Sequence, residues 1–117
     1  MKALTARQPH AELLVSGPKD IENRSRKTNL RGRLLIHAGL EADKDALQRF
    51  PVLCTYGAIV GWVEIIDCVE NHQSEWAEKD MWHWVIGERK KFAKAIPCKG
   101  KLGIWNVPED IADQLEL

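Results

Sequence analysis

Hydrophobic and polar residues alternate along this chain in short blocks whose period changes several times. Residues 2–7 predict a first strand. Ala11, Leu14 and Val15 then recur at helical spacing, between a proline and a glycine of the kind that begin and end helices. Residues 57–69 predict the strongest strand, and apolar side chains on both of its faces place it at the centre of a sheet.

The remaining blocks predict a mixture of strands and short helices. They are strands at 19–25, 34–36, 82–86 and 100–107, one or two helical turns at 41–48, and a helix beginning at 108. Several strands with short helices between them predict a compact α+β domain whose sheet curls toward a small β-barrel. We expect residues 1–117 to form one domain, because this length suffices for one hydrophobic core.

Composition narrows the class of protein. The chain is 44% hydrophobic and 29% charged, as in water-soluble globular proteins, and lacks both a membrane-length apolar run and a signal sequence. Cys54, Cys68 and Cys98 are widely spaced, odd in number and form no C-x-x-C pair. We therefore expect reduced thiols in a cytoplasmic protein, with no metal and no other cofactor.

The charge is balanced overall but unevenly distributed. Seventeen basic residues match seventeen acidic ones, whereas proteins that follow long phosphate backbones usually carry a basic excess. Residues 24–33 hold five basic side chains and no acid, and residues 64–80 hold six acids and one lysine. This pattern favours a local anion site over a broad nucleic-acid groove.

A short segment after the predicted first helix gathers opposite charges. Lys19, Asp20, Glu22 and Arg24 lie within six residues, and Ile21 is the only aliphatic side chain among them. Opposite charges held this close at the start of a strand can perturb each other's pKa, as sites of polar chemistry require. A solvated edge strand with surface ion pairs explains the same pattern, so the segment alone does not decide between the two.

The same segment carries a family resemblance. The pattern G-x-K-x-x-E-x-R at 17–24 resembles the ASCH domain of the PUA-like superfamily, and further similar blocks follow in order along nearly the whole chain. They are LTARQP at 4–9, RGRLLIHAG at 31–39, GAIVGWVEIIDC at 57–68, WHWVI at 82–86 and KGKLGIWNV at 99–107. The resemblance implies a small β-barrel-like sheet flanked by helices, with a cleft lined by the lysine, glutamate and arginine of the motif. It also implies binding of RNA or nucleotides and, for some small stand-alone members, hydrolysis of the amide of N4-acetylcytidine.

The chain departs from the family pattern at two positions. His10 stands where the related Q-P pattern often carries tryptophan. The small amidohydrolases use lysine, threonine and glutamate, and their threonine position falls on Glu22 here. A hydroxyl nucleophile would therefore have to come from Ser25 or Thr28.

Hydrolysis of an acylated exocyclic amine needs an activated nucleophile, a proton donor and a group that stabilises the oxyanion. Lys19 is the candidate base, and Glu22 would activate water or carry the proton to N4. Arg24 would hold an oxyanion, a ribose oxygen or a phosphate. Strict alternation puts Lys19 and Glu22 on opposite sides of a strand, so their joint action requires a bend at Lys19.

The resemblance also implies a third carboxylate beyond the long strand, and Glu64 is a rival for this role. Glu75, Glu78 and Asp80 are the candidates, and Glu78 enters our candidate catalytic set.

Further residues are candidates for substrate binding: Gln8, Asn23, Arg24, His37, Glu64 and Trp84. Glu64, a carboxylate on a largely apolar strand, either has a function or pairs with Arg33 or Arg24. His37 either reaches the rim of the cleft or is a structural histidine. Trp84 either stacks on a pyrimidine or packs in the core.

Three functions remain open. The first is a hydrolase of N4-acylated cytidine nucleosides, which the balanced charge and the motif residues favour. The second is a module that binds RNA or single-stranded nucleic acid through residues 24–33 and an exposed tryptophan. The third is a ribonuclease that uses His37 with Lys19. The expected partner is a modified pyrimidine nucleoside, with RNA as the alternative, no membrane, and a monomer or weak homodimer.

Overall fold

A mixed six-stranded sheet organises the chain, as shown by a computed structural model that describes residues 1–116. The strands are β1 (Lys2–Gln8), β2 (Ile21–Arg24), β3 (Gly32–Ala42), β4 (Ala58–Val69), β5 (Trp82–Pro97) and β6 (Ile104–Asn106). The helices are α1 (His10–Ser16), α2 (Lys44–Arg49) and α3 (Glu109–Ala112). The predicted α+β class is confirmed.

The strand order is β2-β5-β4-β3-β1-β6. Only β1 and β3 pair in parallel among the described strands, and every other neighbouring pair is antiparallel. The sheet is consistent with the predicted curled sheet, but it is not closed into a barrel, since β2 and β6 form its two edges within residues 1–116. No helix in this part of the chain is long and apolar enough to cross a membrane.

Both faces of the sheet centre are covered by apolar side chains. On one face, Leu14 and Val15 of α1 belong to the same buried cluster as Leu34 and Ile36 of β3. On the other face, Leu35 belongs to a second cluster with Ala3, Ile59, Trp62, Phe92, Ile96, Trp105 and Val107. Burial stabilises each large aliphatic side chain by about 1.5–3 kcal/mol relative to exposure. The prediction that 57–69 is a central strand is confirmed, because β4 lies between β5 and β3.

Strand β5 is much longer than the sequence pattern predicts. The predicted strand ended at residue 86, whereas β5 continues to Pro97. Residues 87–91 are mostly polar and show no apolar alternation, and in the later part only Phe92 and Ile96 are buried. Pairing with β4, rather than local pattern, therefore extends this strand.

Gly61 allows β4 and β5 to approach each other closely. A Cβ atom at this position would overlap the backbone carbonyl oxygen of Lys90 and would lie 3.0 Å from Cγ1 of Val15. The register between the two strands also shifts around this point, between Ile59 and Gly61. Only glycine fits this crossing without moving the backbone.

Other element boundaries differ by a few residues. Pro9 lies at the N-cap of α1 rather than at its first helical position. Glu41 and Ala42 extend β3, so α2 begins later than predicted, after the cap residue Asp43, whose Oδ1 accepts the N–H of Ala46 at 3.1 Å. The predicted strand at 100–107 is reduced to the three residues of β6.

Candidate active site

An open cavity of about 600 Å³ lies beside the β2 edge of the sheet. Residues 5–7 of β1, 22–24 of β2 and 39–41 of β3 form much of its lining, together with Lys19 and Glu78. This volume is within the range of pockets that bind small molecules. Among residues 1–116, no cluster of histidine, cysteine, aspartate or glutamate side chains is arranged to hold a metal ion.

Lys19 and Glu22 form a buried ion pair in this cavity. Nζ of Lys19 lies 3.6 Å from Oε1 of Glu22, and the two residues are 4% and 5% exposed. Lys19 can face Glu22 because β2 begins only at Ile21, which leaves Lys19 in the turn after α1. The bend that joint action required is therefore present. Two charges buried this deeply depend on each other, since removal of one partner of such a pair costs about 3–5 kcal/mol.

Arg24 approaches the same carboxylate from the other side. Its Nε donates to Oε2 of Glu22 at 2.7 Å, and its Nη2 donates to the backbone oxygen of Thr5 at 3.0 Å. Glu22 therefore lies between two cations, and β1 fixes the position of the guanidinium. Arg24 is less buried than the pair, with 28% of its side chain exposed.

A residue of strand β5 forms hydrogen bonds with the turn that carries Lys19. Nη1 of Arg89 donates to the backbone oxygens of Leu14 at 3.3 Å, Gly17 at 2.9 Å and Lys19 at 2.8 Å. The backbone N–H of Lys19 also donates to the oxygen of Leu13 at 3.2 Å. These contacts set where the ammonium group enters the cavity.

His10 and Asp43 extend the charged cluster, and the sequence analysis did not assign them to it. Nδ1 of His10 lies 2.9 Å from Nζ of Lys19, and its Nε2 lies 2.9 Å from Oδ2 of Asp43. The hydrogen bond with His10, followed by that from the N–H of Ala46, holds the pKa of Asp43 below its ordinary value. The unusual residue at position 10 was visible in the sequence, but no local pattern connects it with a residue 33 positions later.

Asn23 and Glu78 complete the wall formed by the 78–81 segment. The amide nitrogen of Asn23 donates to the backbone oxygen of Trp76, and its Oδ1 accepts the N–H of Glu78, both at 2.9 Å. Of the three candidate third carboxylates, Glu78 lines this cavity, whereas Asp80 lines a neighbouring hollow. Asn23 thus holds Glu78 at the wall.

Two predicted substrate-binding residues lie outside the cavity lining, in buried polar contacts. Gln8 is fully buried, where its Nε2 donates to the oxygen of Thr55 and its Oε1 accepts the N–H of Glu12. His37 is 2% exposed, and its Nε2 lies 2.6 Å from the oxygen of Cys98. These contacts fix backbone segments, and they leave neither side chain free to face a ligand in the cavity.

Glu64 and Trp84 also lie outside this cavity. Oε1 of Glu64 accepts the N–H of Glu88 at 3.2 Å. The expected partner Arg33 instead lies over the ring of Trp62, at 4.0 Å from its centroid. Trp84 is 4% exposed, so it cannot offer a broad face to a base. Tertiary packing, which the sequence does not display, decides each of these placements.

A second hollow of about 460 Å³ adjoins the cavity and is lined by the start of the basic run. Arg24 and Ser25 line both spaces, and Arg26 and Lys27 line the second. The indole N–H of Trp84 donates to the backbone oxygen of Arg26 at 3.0 Å. Of the two candidate hydroxyl nucleophiles, Ser25 lines the cavity, whereas Thr28 lines only the second hollow.

Comparison with known proteins gives the family. A family model described as the ASCH domain matches residues 4–99. The chain belongs to the ASCH domain family. Activating signal cointegrator 1 of Homo sapiens and of Mus musculus are each 29% identical to this ASCH chain over 130 residues, a match covering 92% of the chain and 22% of either relative. The chain therefore spans about a fifth of the length of these curated relatives. The ASCH match includes both the Lys19–Glu22 pair and Glu78.

Proposed function

We propose that this ASCH protein hydrolyses the amide bond of N4-acylated cytidine nucleosides. The observation that carries the proposal is the buried Lys19–Glu22 pair in an open cavity of nucleoside scale. Charges are rarely buried without a role, and a charged cluster in a cleft is typical of sites of polar chemistry. The resemblance to small ASCH amidohydrolases supports the choice of reaction.

Water is the nucleophile in this proposal, because a glutamate stands at the threonine position of the amidohydrolases. Lys19, in its amine form, takes a proton from water as the water oxygen bonds to the acyl carbon. Glu22, 3.6 Å from the lysine Nζ, passes that proton toward N4 as the carbon–nitrogen bond breaks. Cytidine and the carboxylic acid leave, and Lys19 and Glu22 return to their starting charges.

Arg24 and Glu78 have supporting roles. The guanidinium of Arg24 lines the cavity beside Glu22 and is suited to hold the developing oxyanion or a ribose oxygen. Glu78 also lines the cavity, where its carboxylate can accept a hydrogen bond from the sugar or the pyrimidine edge, and Asn23 holds the backbone of Glu78 in place. Ser25 is the alternative hydroxyl nucleophile in the same cavity.

The experiment that tests the proposal is a spectrophotometric assay of N4-acetylcytidine conversion to cytidine. We expect turnover by the unaltered protein, and a loss of about 100- to 10,000-fold in kcat for Lys19→Met and for Glu22→Gln, the range contributed by a positioned acid or base. Lys94→Met and Glu88→Gln, which alter exposed residues of β5, are the matched controls. Circular dichroism checks that each variant is folded. Full activity of both site variants, or no turnover by the unaltered protein, would refute the proposal.

Binding of RNA or single-stranded nucleic acid is the second candidate function. The ASCH family is a family of RNA- and nucleic-acid-related modules. The observation in its favour is the basic hollow, which continues the cavity through Arg24 and Ser25. The third alternative is a ribonuclease that uses His37 with Lys19. It loses its support because His37 is buried against Trp105, and because the imidazole that forms a hydrogen bond with Lys19 belongs to His10.

A further inference from the structure

A continuous line of hydrogen bonds connects the protein surface to the buried lysine. It runs from Asp43 through the ring of His10 to Nζ of Lys19, with 2.9 Å at each of the two steps. The exposed fraction of the side chains falls along it, from 38% for Asp43 to 28% for His10 and 5% for Lys19. The line therefore connects a nearly inaccessible amine to a partly exposed carboxylate.

The contacts define which atoms carry protons. A lysine ammonium has donors and no acceptor, so Nδ1 of His10 must accept from Lys19, and the ring proton must lie on Nε2, pointing at Asp43. If a proton moves from Nζ of Lys19 to Nδ1, whose nitrogen lies 2.9 Å away, His10 becomes an imidazolium that Asp43 stabilises, and Lys19 becomes a neutral amine. A base hydrogen-bonded to a reactive group and oriented by a carboxylate is the arrangement that activates nucleophiles and bases in enzymes.

Two helix starts hold this arrangement in place. His10 is the first residue of α1, and Asp43 caps α2, where its Oδ1 accepts the N–H of Ala46 while its Oδ2 faces the ring. The backbone N–H of Asp43 also donates to the oxygen of Gln8 at 2.7 Å, which ties the two helix starts together. The geometry of the line therefore follows from the fold and not from mobile surface side chains.

We propose that His10, oriented by Asp43, is a positioning residue that accepts and returns the proton of Lys19 and so supplies the lysine in its amine form. The consequence for catalysis rests on the proposed amidohydrolase function, whereas the proton exchange itself does not. Hydrolysis by this route consumes no further reactant, because the proton lent to His10 returns to Lys19 after each turnover.

Other charged side chains belong to α1 and to the neighbouring elements, and Arg7, Glu22 and Glu41 among them line the same cavity as His10. They are Arg7 on β1, Glu12 on α1, Glu22 on β2, Glu41 on β3, and Lys44 and Asp45 on α2. Arg7 pairs with Glu41 at 3.4 Å, and Glu12 pairs with Lys91 at 2.9 Å. Among the described residues, Asp43 and Lys19 are the charged groups in hydrogen-bond contact with the ring.

Two variants distinguish proton exchange between His10 and Lys19 from a purely structural role of these side chains. His10→Asn keeps an acceptor near the position of Nδ1 but cannot take up a proton. Asp43→Asn keeps an acceptor for the N–H of Ala46, but it turns an amide NH2 donor toward the ring and removes the negative charge, so it no longer favours the tautomer with the proton on Nε2. His72→Asn, a histidine outside this cavity, is the matched control for loss of an imidazole.

The first measurement needs no substrate. Nuclear magnetic resonance follows the imidazole nitrogens of His10 and the Cε of Lys19 over a pH series. Because groups that exchange a proton respond as a pair, we expect the Lys19 signal to change together with the His10 signals across the series. This response should disappear in His10→Asn and persist in His72→Asn. A Lys19 signal that is indifferent to the state of His10 would overturn the proposal.

The second measurement is the pH profile of kcat on N4-acetylcytidine. We expect His10→Asn to lower kcat at least tenfold near neutral pH with little change in KM, and to shift the acid limb of the profile toward higher pH. Asp43→Asn should also lower kcat, because the amide NH2 favours the ring tautomer in which Nδ1 cannot accept the proton of Lys19. An unchanged pH profile of kcat for His10→Asn would overturn the claim that His10 supplies Lys19 in its amine form for hydrolysis. If the unaltered protein shows no turnover, the amidohydrolase proposal fails, and the resonance titration still decides whether His10 and Lys19 exchange a proton.

Discussion

Glu22 brings two cations together in the cavity. Its carboxylate faces both of them, with 3.6 Å to Nζ of Lys19 and 2.7 Å to the guanidinium of Arg24. Cations are therefore in excess immediately around Glu22, whereas basic and acidic side chains balance over the lining as a whole. An excess of this kind favours ligands that present an electron-rich oxygen, such as an acyl carbonyl that becomes an oxyanion.

Asp43 connects the cluster to the pH dependence of stability. The pKa of its carboxyl is lowered from 3.8 because the side chain accepts hydrogen bonds from His10 and from the N–H of Ala46. The folded state thus favours the carboxylate, so the stabilisation is fully present above the unfolded value of 3.8 and is lost as pH falls through the lower folded value.

We expect Asp43→Asn to lower the free energy of unfolding at neutral pH, and the difference from the unaltered protein to shrink as pH falls below 3.8. Urea denaturation over a pH series measures this difference. Asp45→Asn, the same change at an exposed position in the first turn of α2, is the control and should have a smaller effect. A difference that stays constant across the acid range would contradict the assignment.

The sequence makes some of these residues predictable and others not. Lys19, Glu22 and Arg24 belong to one short motif, so a single turn brings them together. His10 meets Asp43 only because two helix starts are adjacent in space, and no sequence spacing reports this adjacency. The side chains predicted from isolated polarity, such as His37 and Glu64, bond to backbone atoms of distant segments, which local pattern cannot reveal.

At the scale of elements, β5 supports the candidate site from outside the cavity. The α1–β2 turn carries Lys19, and the guanidinium of Arg89 donates to two backbone oxygens of this turn and to one of α1. The part of β5 that bears Arg89 is mostly polar and shows no apolar alternation in the sequence. Its pairing with β4 makes it a strand, since a strand can be specified by its neighbour as much as by its own residues.

We expect Arg89→Met to destabilise the protein by about 2–3 kcal/mol, because it leaves three backbone oxygens without a charged donor. Arg89→Lys keeps the charge but not the planar fork of donors, so we expect an intermediate loss. Thermal unfolding measures stability, and the N4-acetylcytidine assay measures kcat, which should fall together with it as Lys19 loses its position. Lys90→Met, the adjacent residue of β5, is the control. A stable Arg89→Met protein with normal activity would show that the turn does not depend on this contact.

At the scale of the whole molecule, opposite charges lie on either side of the cavity. Arg26 and Lys27 line the hollow on one side, and Glu70, Glu78 and Asp80 line the hollow on the other. A phosphate backbone would be attracted to the first and repelled by the second. A nucleic-acid ligand is therefore restricted to a few nucleotides at the basic side.

This restriction predicts a shallow salt dependence if single-stranded RNA binds. Contact with two or three phosphates gives a slope of log affinity against log salt of about −1.4 to −2.1, at about −0.7 per phosphate for single strands. Fluorescence anisotropy with a short labelled RNA measures the slope. Arg26→Ala and Lys27→Ala should each reduce its magnitude by about 0.7, and Lys94→Ala should leave it unchanged. If no RNA binds at low salt, and if the KM for a nucleoside does not change with salt, RNA binding is excluded as the function.

The fold class was predictable because alternating apolar residues on several short strands specify a sheet. The strand order was not, because it depends on pairings between residues far apart in sequence, such as Lys2 with Asn106. The same long-range pairing leaves β2 and β6 as the edges of the described sheet, which is consistent with the predicted curled sheet but is not closed into a barrel.

The tight crossing at Gly61 links the interior of the sheet to the cavity. An added methyl group there would push β5 away from β4 at Lys90, immediately beside Arg89. Any such displacement would be passed through the guanidinium to the turn that holds Lys19. Selection for activity alone would therefore preserve a glycine that never contacts substrate, and a mutational scan would register it as a functional position far from the chemistry.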